Sequence, residues 1–186
     1  LIDKKHAVTK YFEKTRYTRA PTSLGAVYID GKLYVNPPKT RHGVYPYVDD
    51  MRHGVYSITK SMAGALSLLY FAERYGESIL NELITDYVPV LESHPGWAGV
   101  TFSHTLNMVT GTEGSERAEH LYEILIKASS AEQSINSIAT LGDYPSKPGH
   151  QFNYASTNLF VLSYALQQYI EKEEGKGVYC LLKSLF

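Results

Sequence analysis

Ser57-Ile58-Thr59-Lys60-Ser61-Met62-Ala63-Gly64-Ala65-Leu66-Ser67-Leu68-Leu69-Tyr70-Phe71-Ala72-Glu73-Arg74-Tyr75-Gly76 divides the chain into two kinds of sequence. Within it Ile58, Met62, Leu66, Leu69 and Ala72 recur at helical spacing. They predict one apolar stripe facing a core, and Gly76 suits the position just past a last helical turn. Ahead of Ser57 the pattern is that of strands. Ala26 to Ile29 lead into Asp30-Gly31, a favoured two-residue turn, and Leu33 to Val35 lead out, so Gly25 to Asn36 reads as a hairpin ended by Pro37-Pro38. A short helix is expected from Asp3 to Arg16.

Behind Ser57 helices dominate. They are expected at Ser78 to Tyr87, stopped before Pro89; at Thr101 to Val109, stopped at Gly111; and at Glu116 to Lys127. Another runs from Ala131 to Leu141, opened by the capping box Ser130-x-x-Gln133. A loop over Tyr144 to Phe152, with Pro145, Pro148 and Gly149, leads into a last one from Thr157 to Glu173. Strands followed by helices, without βαβ alternation, make an α+β order. Arg-His-Gly-Val-Tyr occurs twice, at Arg41 to Tyr45 and at Arg52 to Tyr56, too short an echo to mark a structural repeat.

With 186 residues, 44% of them hydrophobic and 20% charged, the chain has enough apolar surface for one real core. It reads as one domain or most of one. A net charge of -1, with basic residues scattered, provides no field for a polyanion, so nucleic acid is not an expected partner. No apolar run approaches the roughly 20 residues of a membrane span. The one cysteine, Cys180, excludes an internal disulfide and is expected as a small buried hydrophobe. The chain opens on Leu1-Ile2, so the lack of an export signal carries no information, and apolar Leu181, Leu182 and Phe186 suggest that it continues.

A serine hydroxyl is a poor nucleophile until a neighbour takes its proton. In Ser57-Ile-Thr-Lys60 the two polar groups stand three residues apart, on one face of a helix, so the Lys60 amine can fold back over the Ser57 hydroxyl. At the helix start Ser57 is also expected to have exposed backbone N–H groups beside it, suited to an oxyanion. Lys60 must be neutral to act as base, which demands burial or a nearby positive charge. The spacing alone is weak: 16 Ser and 12 Lys in 186 residues produce about one Ser-x-x-Lys by chance, and a plain Ser helix cap competes.

Tyr154-Ala155-Ser156 is a second candidate. A tyrosine that shares a proton with a lysine can serve as base toward a nucleophile and as acid toward a leaving group. Tyr34 and Tyr144 head similar tripeptides, but Tyr154 stands on the loop that opens a long helix, where catalytic groups are commonly presented. In a chain of 16 tyrosines a packed or half-exposed Tyr is the competing reading.

Three blocks occur in order: His53-Gly-Val-Tyr-Ser57-Ile-Thr-Lys60-Ser61, then Val100-Thr-Phe-Ser-His104-Thr-Leu-Asn-Met108-Val-Thr-Gly111, then Pro148-Gly-His-Gln-Phe152-Asn-Tyr154-Ala-Ser156-Thr-Asn158. Together they resemble the serine β-lactamase-related family, which includes class C β-lactamases, D-alanyl-D-alanine carboxypeptidases, family VIII carboxylesterases and 6-aminohexanoate-oligomer hydrolases. The resemblance implies a β-lactamase/transpeptidase-like α+β fold, with strands over 1–56, a helical part over 57–186 and a sheet incomplete in this stretch. It implies that Ser57 is acylated, that Lys60 and Tyr154 handle the proton, and that the Ser57 N–H forms half of an oxyanion hole. Ser156 matches a position where many members carry Asn that bonds the substrate amide or the lysine; Ser is shorter and lacks the amide. Asn158 matches a frequent family position, expected to hold the loop. The family's Lys-Thr-Gly or His-x-Gly strand does not follow Tyr154, and Lys39-Thr40-Arg41 lies in the wrong place. The resemblance also favours a periplasmic or secreted location.

Other features read as structure. His6, His42, His94, His104, His120 and His150 lack metal-ligand spacing, and Trp97 reads as a packing anchor. No metal or organic cofactor is implied, and the expected partner is a small-molecule or peptide substrate. A serine hydrolase acting on an ester, amide or β-lactam carbonyl is the leading expectation, with ester or linear amide favoured by Ser156. The competing ones are a penicillin- or peptide-binding sensor that does not turn over, and a structural fragment with an inert Ser57.

Overall fold

The computed structural model describes residues 25–36, 38–40, 42–47, 50, 52, 54–112, 116, 118–142 and 146–183. The expected helix at Asp3 to Arg16 lies outside them. The chain divides into two units, Leu1–Gly54 and Val55–Phe186.

In the first unit, β1 (Ala26–Ile29) and β2 (Lys32–Val35) pair antiparallel, from Ile29 opposite Lys32 to Ala26 opposite Val35. Asp30 at φ 48° and Gly31 at φ 77° make the turn, both in the left-handed region that a tight hairpin of this twist requires. The Asn36 N–H closes the open end on the Gly25 carbonyl at 2.8 Å. A smaller ladder joins β3 (Lys39–Thr40) to β4 (Gly43–Val44). Its corner is held by Thr40, whose hydroxyl accepts from the His42 N–H at 3.0 Å and donates to the Gly43 carbonyl at 3.2 Å. The two copies of Arg-His-Gly-Val-Tyr fold differently: Gly43–Val44 of the first is a strand, whereas Tyr56 of the second turns into a helix.

The second unit is helical. The chain enters a helix at residue 58, is π-wound over Lys60–Ala65 and continues as α1 (Leu66–Tyr75). The π-wound turns change the phase. Ile58, Leu66 and Leu69, expected on the buried stripe, are exposed. Ala72 of the expected stripe is buried, and it is joined in the core by Leu68 and Phe71, with Tyr75 half-buried, at the 0, 3, 4, 7 spacing of a buried helical face. Where one helix was expected over Ser78 to Tyr87, short 3-10 turns occur at Glu77–Asn81 and Ile84–Asp86. An antiparallel bridge from Leu83 to Thr101 separates them, because Ile84 donates to Val100 and Phe102 to Glu82. Further 3-10 turns start at Pro89 and Pro95, residues suited to a first helical position.

Helix α2 (Phe102–Leu106) is shorter than expected. Thr101 opens it with a reciprocal cap of unusual composition: the Thr101 hydroxyl accepts from the His104 N–H, and His104 Nδ1 accepts from the Thr101 N–H, each at 3.2 Å. Helix α3 (Ala118–Leu121) runs into a π turn, and α4 (Ala131–Ile138) starts under Ser130, whose hydroxyl accepts from the Gln133 N–H. Gln133 Oε1 accepts from the N–H and hydroxyl of Ser129, not from the Ser130 N–H as a strict capping box requires.

Helix α5 (Ser156–Glu174) lies through the core on Val161, Leu162, Ala165, Leu166 and Ile170, with Trp97, Phe102 and Ile138 among the side chains around it. Its last turn meets the last turn of α1, where Arg74 and Tyr75 both donate to the Glu174 carboxylate. At the other end Gly64 of the π-wound turns lies against Leu159 of α5, so the chain from Lys60 to Tyr75 runs in the same direction as α5. Helix α6 (Val178–Lys183) follows, and it leaves Cys180 exposed, contrary to the buried position expected for it. Among the described residues no helix is long and apolar enough to cross a membrane.

Candidate active site

Ser57 stands where the second unit begins to wind. The residue before it, Tyr56, holds φ 43°, a left-handed conformation that costs a side-chain-bearing residue roughly 1–2 kcal/mol and persists where the surroundings impose it. The N–H groups of Ile58, Thr59 and Lys60 donate to the carbonyls of Val55, Tyr56 and Ser57 at 3.0–3.1 Å. They are thus engaged, contrary to the exposed N–H groups expected beside the serine, because a tight turn winds up ahead of the helix.

Lys60 Nζ donates to Ser57 Oγ at 2.9 Å. This is the fold-back that the three-residue spacing predicts, and it is within the range over which a base takes a proton. Lys60 is half-buried, and its Nζ also lies over the Tyr154 ring, 5.4 Å from the centroid. The ring face carries negative potential and can face a cation. The structure thus brings Ser57, Lys60 and Tyr154 together across about a hundred residues of chain.

Tyr154 is held there by two laced loops. Asn153 N–H donates to the Met108 carbonyl at 2.9 Å, and Gly149 N–H to the Val109 carbonyl at 2.7 Å. Below them is a buried polar network that was not read from the sequence. Thr110 Oγ1 accepts from the Thr112 N–H at 3.2 Å and from Asn158 Nδ2 at 3.1 Å, and lies 2.8 Å from Thr112 Oγ1. Two acceptances leave the Thr110 hydroxyl proton for Thr112. Asn153 Nδ2 reaches the Thr112 carbonyl at 3.4 Å. Asn158 is buried, and its Oδ1 has no partner among the described residues. It therefore lies within the scaffold of the loop. Small polar residues at alternate positions, Thr110-Gly-Thr112, were the available sign.

Ser156 is the first residue of α5, two residues beyond Tyr154. Its N–H donates to the carboxylate of Glu116, an acidic group placed at the positive end of a long helix and also unread in the sequence. Among the described residues no group of three or more His, Cys, Asp or Glu is placed to hold a metal. A serine hydroxyl in contact with an amine, beside a phenol, is equipped for acyl transfer.

A family model described as Beta-lactamase matches residues 9–170. No curated protein matches the chain.

Proposed function

The chain belongs to the serine β-lactamase-related family, whose members are in general hydrolases, and on that premise we propose that it is a serine hydrolase working through an acyl-enzyme at Ser57. What carries the assignment is the 2.9 Å contact from Lys60 Nζ to Ser57 Oγ beneath the Tyr154 ring.

In the proposed reaction a neutral Lys60 takes the Ser57 proton while Oγ bonds to the substrate carbonyl carbon. The Ser57 N–H faces the oxyanion as one of its donors. Lys60 becomes cationic in this step, and the face of Tyr154 stabilises that cation. The carbonyl re-forms, the bond to the leaving group breaks, and the proton passes to the leaving atom through Lys60 and Tyr154. Water then attacks the acyl carbon, gives its proton to Lys60, and releases the acid as Ser57 recovers its hydrogen. Ser156 faces the substrate in place of the Asn of many relatives, a change that favours esters and linear amides over β-lactams.

The test is incubation with a fluorophosphonate, a fluorescent penicillin and p-nitrophenyl esters. The expected result is ester turnover and fluorophosphonate labelling, both abolished in Ser57→Ala. Stable labelling without turnover would favour a sensor, and lack of any labelling would reject Ser57 as nucleophile.

A further inference from the structure

We propose that Phe152 and Tyr56 form an apolar wall beside Ser57 that selects substrates with an uncharged, apolar acyl group; this rests on Ser57 being the nucleophile. The stretch 151–155 runs without helix or strand pairing into α5, and Ala155 at its end is extended. Successive side chains of an extended chain point to opposite sides. Burial follows that alternation. Asn153 is half-buried, with its N–H and amide bonded to the 108–112 loop, and Ala155 is fully buried, whereas Phe152 is 63% and Tyr154 40% exposed. Phe152 therefore shares the outward side of Tyr154, whose ring carries Lys60 Nζ.

On the nucleophile's own strand of chain, Tyr56 is 89% exposed and held in the left-handed conformation immediately before Ser57. Ile58, just after it, is exposed as well. Exposed aromatic and aliphatic side chains thus flank the serine in the chain, at Tyr56 and Ile58, and stand two residues ahead of Tyr154, at Phe152. The charge nearby points the same way. Lys60 is engaged by Ser57 and Tyr154, and the Glu116 carboxylate lies at the Ser156 N–H, two residues from Tyr154, where it repels an anionic substrate. A neutral acyl chain laid on Phe152 and Tyr56 removes apolar surface of both from water, an interaction that grows with each methylene.

The experiment compares p-nitrophenyl hexanoate with the acetate in the full chain and in Phe152→Ala. The expected result is a fall of about tenfold in the hexanoate-to-acetate ratio of kcat/KM, largely in KM, with Phe152→Leu retaining most of the preference. A second measurement, calorimetric binding of hexanamide to Ser57→Ala with and without Phe152→Ala, needs no acylation. About tenfold weaker binding in the double variant supports the wall. Phe152-dependent binding in a protein that turns over none of the esters would reject the nucleophile and keep the apolar site. A ratio and an affinity both unchanged by Phe152→Ala would overturn the proposal.

Discussion

A Cβ on Gly111 would stand 2.1 Å from the carbonyl oxygen of Ser146. Gly111 holds φ 83°, and its own carbonyl accepts from the Ser146 N–H at 3.4 Å, so the two loops that carry Tyr154 touch backbone to backbone at this point. Gly111→Ala is expected to impose roughly 1–2 kcal/mol of left-handed strain and to push the 146–153 loop away. The thermal midpoint should fall by about 2–8 °C, and fluorophosphonate labelling of Ser57 should slow as Tyr154 leaves Lys60. An unchanged midpoint would mean that the loops do not meet as described.

Lys60→Arg separates charge from basicity. Arginine lays a cation over the Tyr154 ring and stays protonated, so it cannot accept the Ser57 proton. Acylation should slow by about 10²–10⁴, the usual contribution of a positioned base, with the melting temperature within a degree or so of the parent. Labelling kinetics with a fluorophosphonate decide the matter: a wild-type rate in Lys60→Arg would exclude Lys60 as the base.

Features with local causes were legible in the residues. Asp30-Gly31 dictates its own turn, and α5 has a continuous apolar face and a glycine stop, so both lie where expected within a residue or so. Ser57 and Lys60 meet because three residues span less than one helical turn. What was not legible depends on partners distant in sequence. The π-wound turns at Lys60–Ala65 shift the phase of α1, so that Leu68 and Phe71, rather than Leu66 and Leu69, enter the core. The Thr101 cap uses His104, not the Glu or Gln of the usual pattern, and Glu116 meets Ser156 across forty residues. Tyr154 stands apart from several similar tyrosines by its loop, but its contact with Lys60 is tertiary and has no local sign.

The buried network behind Tyr154 orders two substitutions. Thr110 Oγ1 is the acceptor on which the Thr112 N–H and Asn158 Nδ2 converge. Thr110→Val keeps the volume but strands both donors, at about 1–3 kcal/mol each. Asn158→Leu removes one donor together with an oxygen that already lacks a partner among the described residues, so its cost is smaller, about 1 kcal/mol. Urea unfolding should therefore rank Thr110→Val well below Asn158→Leu in midpoint. The reverse order would place the organising atom on Asn158.

At the far ends of α1 and α5 the Tyr75 hydroxyl and Arg74 hold the Glu174 carboxyl below its usual range, the hydrogen bond from Tyr75 foremost. A depressed carboxylate contributes stability that is present above its unfolded value, near pH 4.3, and lost as pH falls through the lower folded one. Burial, seconded by the bond to Glu174, pushes the Tyr75 phenol up to about 12. A raised phenol acts in the opposite window: its contribution is complete below the unfolded value near pH 10 and lost as pH rises through the folded one. Glu174→Gln should flatten the acid limb of the stability profile, and Tyr75→Phe the alkaline limb. Denaturant midpoints collected from about pH 3 to pH 12 check both arms. If Glu174→Gln loses stability in parallel with the parent below pH 4, the carboxylate does not clamp the two helix ends.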